Sequence, residues 1–485
     1  MRSRYQMLFV SALCLLGAAR VLLFSAAFPF FNNVDEQVHL DLVVKYALGR
    51  IPRSFEPMAP EAAALVANYG SPEFFLTPER ARENGFVDPF WKHPELEQAI
   101  ADLADEFQSH PNFESSQPPL YYMLAGFWFD LGQAVGLLGE RLLYWVRFFN
   151  ALLIAALVWI AFLAAQECSN DPNLYLSVPL LVAFIPQDAF YSIGNDNLSA
   201  VVGGAGFLLL SLWLSDKRIP FLVSALTGLS VAAAYLTKLA NLPFVGVVLA
   251  VILLNPVFKR RRIAPALICL LTALLPILLW MWWCQNQFGD LTGTSGKLAS
   301  LTWTRKPIGQ WWSHPIFTAR GTWIFLSALL ARFWRGEFTW HGQVLAWRPA
   351  DCFYAVSSLV FPILALTELS GRALAHALQK RALLLCAVLF LASIVFLGLL
   401  SIQFDFGRCP YPSQDFPYFT SGRLMMAAFV PFAILYVHGI GCALRRLRAP
   451  VSPFIVVGII VLFVTGTEIV LSREVFGSIY NWFHS

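Results

Sequence analysis

The chain alternates long apolar runs with short charged breaks, and several runs exceed the ~18–20 residues that cross a bilayer as a helix. Candidate spans are roughly Met7–Pro29, Leu142–Ala165, Leu174–Phe190, Leu198–Leu214, Ile219–Tyr235, Leu242–Asn255, Ile263–Trp283, Phe353–Leu369, Leu383–Ser401, Leu424–Leu444 and Pro453–Leu471. The first run is too long for the apolar core of a signal peptide, and no small-residue cleavage pattern follows it, so it reads as a membrane helix. Pro118–Leu138 is an ambiguous further candidate.

The basic residues decide how that segment is read. They cluster at Arg2/Arg4, Lys217/Arg218, Lys259–Arg262, Arg372–Arg381 and Arg445–Arg448. The positive-inside rule wants all five clusters on the cytoplasmic side. If Pro118–Leu138 crossed, every later cluster would flip outward. It is therefore expected to lie in the outer interface, where Tyr121, Tyr122, Phe127, Trp128 and Phe129 suit it. The expected fold class is all-α and polytopic, one membrane domain over residues 1–485 with about eleven transmembrane helices. Three stretches then face outside: 30–141, 285–351 and 402–421, with a short tail at 472–485. Thr322–Phe333 in the second reads as another interfacial helix.

Composition agrees. The chain is 58% hydrophobic and 13% charged, with mean hydropathy +0.61, which excludes a soluble protein. The net charge of +4 sits in loops and reports orientation, not a nucleic-acid partner. The eight cysteines show no metal spacing. Cys14, Cys269, Cys386 and Cys442 read as small core residues, while Cys284, Cys352 and Cys409 leave room for one outer disulfide.

The most informative polar stretch is Val34–Pro52, VDEQVHLDLVVKYALGRIP, just beyond the first run. As a helix at ~100° per residue it puts Asp35, His39 and Tyr46 on one face with Glu36 flanking. Asp41 and Lys45 are spaced to pair, and Gly49 and Pro52 are stop signals. A solvated juxtamembrane helix with an acidic first turn is the plain alternative. Other charges at the outer boundary are Asp188 and Asp196 in IPQDAFYSIGNDNLS, Lys238 in YLTKLANLP, Arg320, Arg332 and Arg335, and Arg423 in FTSGRLMM. Asp196 could simply cap a helix, and Lys238 could snorkel. Arg423, at a helix start where a cation opposes the dipole, is harder to explain structurally. Carboxylates with cations at one membrane face suit group transfer from a lipid-linked phosphate, with a carboxylate as general base and Arg or Lys holding the leaving phosphate. In SSQPPLYY, Gln117 and Tyr121 are candidates for touching a sugar or headgroup, beside an ordinary structural role.

These motifs, in this order, resemble the GT-C superfamily of membrane glycosyltransferases that use polyprenyl-phosphate sugars. The likeness is to the protein mannosyltransferase and aminoarabinose transferase type and to related uncharacterised bacterial membrane proteins. VDEQVH (Asp35, Glu36, His39), QPPLYY (Gln117–Tyr122), the aspartate of IPQDAFYSIGNDNL (Asp196) and SGRLMM (Gly422, Arg423) carry it. Arg147 in WVRFFNALL looks like the family's arginine early in the second span. Leu424 departs from the more usual aromatic after Gly-Arg. The chain is also expected to lack the large soluble domain some relatives use for acceptor recognition.

The resemblance implies a transferase with its site on the outer face of a membrane, by default the bacterial inner membrane. Asp35 (or Glu36) would be the catalytic carboxylate, Asp196 a second acidic group, and Arg423 a phosphate contact. His39 would orient, and Gln117, Tyr121 and Lys238 would help bind substrate. A divalent cation is permitted, not required. The implied partners are a polyprenyl-phosphate-linked sugar donor, a glycan, lipid or protein acceptor, and membrane lipid. The rival classes are a transporter or flippase, suggested by Pro179, Pro186, Pro243 and Pro276, and a non-enzymatic assembly subunit.

Overall fold

The computed structural model describes all residues except 1, 34, 75–87, 216–219, 259–262, 368–376 and 485. The basic clusters Lys217/Arg218 and Lys259–Arg262, and most of Arg372–Arg381, lie outside the described residues. Eight described helices are long and apolar enough to cross a membrane, and three shorter apolar helices accompany them. In chain order the helices are α1 (Arg2–Ala27), α2 (Glu36–Ala47), α3 (Pro60–Tyr69), α4 (Glu97–Gln108), α5 (Leu120–Ala134), α6 (Gly139–Cys168), α7 (Pro172–Phe184), α8 (Asp196–Ser215), α9 (Phe221–Thr237), α10 (Leu242–Phe258), α11 (Ile263–Phe288), α12 (Thr294–Ser300), α13 (Ala319–Arg335), α14 (Arg348–Thr367), α15 (Ala377–Gln403), α16 (Phe429–Arg446) and α17 (Pro453–Ser472). The fold is thus all-α and polytopic, with two short antiparallel ladders. One joins Thr304–Arg305 to Phe404–Asp405 and ties the second loop region to the third. The other pairs Thr339–Trp340 with Gln343–Val344.

Two of the expected spans are interrupted beside proline. The run Leu174–Phe190 is helical only to Phe184, since Pro186 has no N–H to extend the ladder. A short 3₁₀ turn, Asp188–Tyr191, follows. The late span opens as a 3₁₀ segment, Gly422–Ala428, and becomes α-helical at Phe429; Pro431 cannot bond back to Ala427. From Phe429 to Cys442 every residue of α16 is buried, so this helix is the hub of the bundle. It packs against α7, α8, α14 and α15. All eight cysteines are free thiols.

α2 keeps the predicted helix and its Lys45–Asp41 pair (2.8 Å), but the pair is buried, not solvated. Asp41 also accepts from the Ala59 backbone and from Asn112, so it staples α2 to the rest of the first loop. α5 lies on α2 and is fixed to α6 by Trp128 and Trp145. Each indole donates Nε1–H to the other's carbonyl (2.7 Å), and the rings stack 4.2 Å apart. After α17 the tail returns to the first loop, where Ser478 donates to Glu73 and Trp482 packs on Tyr144.

The turn between α1 and α2 is held by a buried ion pair. Arg147 on α6 grips both Glu36 oxygens at 2.7 Å, and its remaining N–H groups donate to the carbonyls of Ser25, Phe28 and Pro29. Glu36 also accepts the backbone N–H of Phe31 and of Ile193 (2.9 Å each). Arg147 thereby caps the end of α1 while neutralising the first residue of α2. Removing one partner would strand a charge in a low-dielectric interior, which costs about 3–5 kcal/mol. Arg147→Ala should therefore lower the melting temperature in detergent sharply, and Arg147→Met combined with Glu36→Gln should recover part of the loss; equal melting of Arg147→Ala and wild type would contradict this.

Candidate active site

At the loop end of the bundle three carboxylates converge on Arg423. Its Nη2 donates to Asp35 Oδ2 at 2.7 Å, its Nη1 to Asp196 Oδ2 at 3.3 Å, and its Nε lies 3.8 Å from Glu337 Oε2. Asp196 Oδ1 takes Lys238 Nζ at 2.6 Å. Glu337 is in turn tied to Ser421 Oγ and lies 3.6 Å from Arg332. The cluster reads as alternating charges, Lys238, Asp196, Arg423, Glu337 and Arg332, with Asp35 on the accessible side.

Each side chain arrives by a local device. Asp35 is the residue before α2, in left-handed backbone (φ 65°), and makes no side-chain cap bond, so its carboxylate is not spent on the helix end. Lys238 occupies extended backbone at the break after α9 (φ −163°), which turns its stem inward instead of along the helix. Arg423 depends on Gly422, because a Cβ there would lie 2.1 Å from the Phe333 backbone nitrogen. Gly203 does the same for α8: a Cβ would stand 2.3 Å from the Ala427 carbonyl oxygen, so only glycine lets the helix of Asp196 reach the segment of Arg423.

A second layer surrounds Asp35. His39 Nδ1 lies 2.7 Å from the Tyr122 hydroxyl, which also accepts from Asn195 Nδ2 at 3.3 Å. The hydroxyl is thus set to donate to Nδ1, leaving the ring N–H at Nε2. Asn195 donates as well to Gln117 Oε1 (3.2 Å), and Gln117 donates to Glu114. Glu114 holds Lys297, delivered from α12 in the second loop region. Burial alone would raise the Asp35 pKa, but Arg423, Lys297 and His39 bring it below the ordinary carboxylate range. Burial lowers His39 to about 4, aided by Lys238 and Arg423 and opposed by Glu114 and Asp35, so the ring is neutral at pH 7.

Of the residues singled out in the sequence, Asp35, His39, Asp196, Lys238 and Arg423 come together, with Gln117 linked to His39 through Asn195 and Tyr122. Glu36 and Tyr121 do not join them. Glu36 points the other way, into Arg147. Tyr121 is fully buried and accepts the Gly194 N–H at 3.1 Å, anchoring the turn before Asp196. The acids Asp35, Glu36 and Asp196 therefore form no common set. Among the described residues no group of three or more His, Cys, Asp or Glu is placed to hold a metal ion. Glu337, Lys297, Glu114 and Asn195 carry no sequence signal of their own; Glu337 lies just past α13, which covers the expected helix Thr322–Phe333, and Lys297 lies on the short α12. A small pocket of about 40 Å³ is lined by Phe28, Asp188, Arg335, Phe338, Trp347 and Glu468 among others, and by none of the residues that meet Arg423. Glu337 and Phe338, adjacent in sequence, serve the cluster and the cavity respectively.

The family described as "Predicted membrane protein (DUF2142)" matches residues 19–407, well over half of the chain. The chain belongs to that family. No curated protein matches it. Among solved structures, this DUF2142 chain is similar to the apo oligosaccharyltransferase of Archaeoglobus fulgidus, with TM-score 0.50 and 11% identity over 96% of this chain and 56% of that one. A structure of the same enzyme with Zn and sulfate gives TM-score 0.43 and 14% identity over 95% and 53%. The DUF2142 chain thus spans just over half the length of the oligosaccharyltransferase. At this identity the likeness establishes the fold, which is of GT-C type as the motifs implied.

The His39 shift has a thermodynamic consequence. The free ring titrates near 6.5 and the folded one at about 4. Between those values the unfolded chain binds more protons, so stability should fall as pH drops through that window and be complete above it. His39→Gln should flatten that part of the melting-temperature profile; an unchanged slope would clear His39 as its cause.

Proposed function

We propose that this protein is a membrane glycosyltransferase that moves a sugar from a polyprenyl-phosphate-linked donor to an acceptor on the outer face of the membrane. The observation that carries the reading is the meeting of Asp35 and Asp196 on Arg423, flanked by Lys238 and Lys297, at one end of a GT-C bundle. In the reaction an acceptor hydroxyl attacks the anomeric carbon of the sugar while its proton passes to the Asp35 carboxylate. The bond from that carbon to the phosphate oxygen breaks, and the electron pair leaves on the lipid phosphate. Arg423 and Lys238 offset the charge that grows there. Asp196 keeps both cations in place between turnovers. Neutral His39 offers an N–H to orient the acceptor without competing for its proton.

The acceptor is a hydroxyl or amine of a glycan, lipid or protein. The membrane is the bacterial inner membrane, with the N-terminus inside and the site outside. A transporter would place ionisable groups along a route through the bundle. The dense charge cluster here gathers at one end instead, which favours transfer.

Purified protein in lipid nanodiscs, given a mixed set of polyprenyl-phosphate sugars and acceptors, should release polyprenyl phosphate. Asp35→Asn should lower that rate by about 10²–10⁴-fold, the usual share of a general base, while leaving the melting temperature near wild type. Release that is untouched in Asp35→Asn would sink the assignment.

A further inference from the structure

The three carboxylates on Arg423 are not held equally. Asp196 has a second cation, Lys238 at 2.6 Å. Glu337 has Ser421 and, at 3.6 Å, Arg332. Asp35 has Arg423 alone: among the described residues its carboxylate has no other hydrogen bond or salt bridge. It is also the most accessible of the three, its side chain 25% exposed against 3% for Asp196 and 7% for Glu337. Its backbone sits in the left-handed region, outside the helix that follows, so it can turn without unwinding α2. Asp196 and Glu337 would each have to abandon a second partner, whereas Asp35 would abandon one.

The geometry points to the Asp35 carboxylate as a stand-in for the donor's phosphate, occupying on Arg423 the seat that a non-bridging oxygen of the donor's phosphodiester, and then of the released lipid phosphate, takes when the donor binds. This deepens the transferase reading and rests on it. An incoming anion competes for Arg423 Nη2, and Lys297, tethered to Glu114, is near enough for its charge to act on the same Asp35 carboxylate. Asp196 and Glu337 stay put and keep the guanidinium in position. Asp35 swings off, loses its compensating cation and becomes a stronger proton acceptor at the moment the sugar arrives. Before that moment it is neutralised. The base is therefore released only with the donor in place, so the donor binds before the acceptor is activated. The exchange makes and breaks no covalent bond.

The consequence runs against the usual expectation for a catalytic residue. Removing the Asp35 charge should help the donor's phosphate bind, because the competing carboxylate is gone. Asparagine tolerates the left-handed backbone there, so Asp35→Asn should fold. Binding of polyprenyl phosphate to nanodisc-embedded protein should be about tenfold tighter in Asp35→Asn than in wild type, the scale of relieving one like-charge contact. Asp35→Gly, equally at ease at positive φ, should show the same gain. Glu337→Gln removes a charge 3.8 Å from Arg423, one that is tied elsewhere, and should change affinity by less than about twofold. Affinity in Asp35→Asn equal to or weaker than wild type would overturn the stand-in, and so would equal gains in Asp35→Asn and Glu337→Gln, which would mark a bulk charge effect. Wild type that binds polyprenyl phosphate no better than neutral polyprenol would bring down the transferase reading itself, and the inference with it.

Discussion

The bidentate contact of Arg147 with Glu36 is the constraint from which the site is built. In a low-dielectric interior neither charge can stand alone, and each finds the other 111 positions away in the chain. Their meeting fixes the end of α1, the start of α2, the middle of the loop-end wall on α6, and through the Ile193 N–H the turn ahead of Asp196. Asp35, the neighbour of Glu36, is aimed by that arrangement. One acid of the pair Asp35–Glu36 is buried and spent on architecture; the other stays partly exposed on Arg423.

The opposite half of the site comes from the other end of the chain. α16 is buried along nearly its whole length, so the 3₁₀ segment before it has little freedom to shift. Gly422 and Gly203 remove the atoms that would hold neighbouring backbones apart. Arg423 then enters a space where its charge has to be met, and Asp35, Asp196 and Glu337 meet it. Steric closeness sets the distances, and charge neutrality sets which residue types can occupy them.

The same logic separates residues that support from residues that act. Tyr121 and Tyr122 are adjacent, both buried, and both use their hydroxyls, yet one holds the Gly194 turn and the other sets the His39 tautomer. Lys238 and Lys297 each answer a carboxylate, from α9's end and from the second loop region. In this fold, shared with an oligosaccharyltransferase of which the chain spans just over half, these loops meet at one end of the bundle. What chemistry that end of the bundle carries is a matter for the side chains, since a fold hosts many chemistries.

Read as a string of letters, the chain already determined the class of its fold. Apolar runs of bilayer length leave helices as the answer, because backbone N–H and C=O groups find no other partners in lipid. It also exposed Asp35, His39, Asp196, Lys238 and Arg423, since ionisable groups at the edges of apolar runs stand out. The apolar runs placed the end of α7 at Phe190 and the start of α16 at Leu424; in the structure proline stops α7 at Phe184 and α16 begins only at Phe429. Tertiary structure alone decided which of two adjacent acids faces the site, because helical periodicity places Asp35 and Glu36 only 100° apart and the choice rests on Arg147. It alone brought in Glu337 and Lys297, which sit just after α13 and on the short α12, in a region whose path is set by contacts with the first and third loop regions. Charge pairing across hundreds of positions carries no local signature, and that is why the site became complete only when the helices were packed.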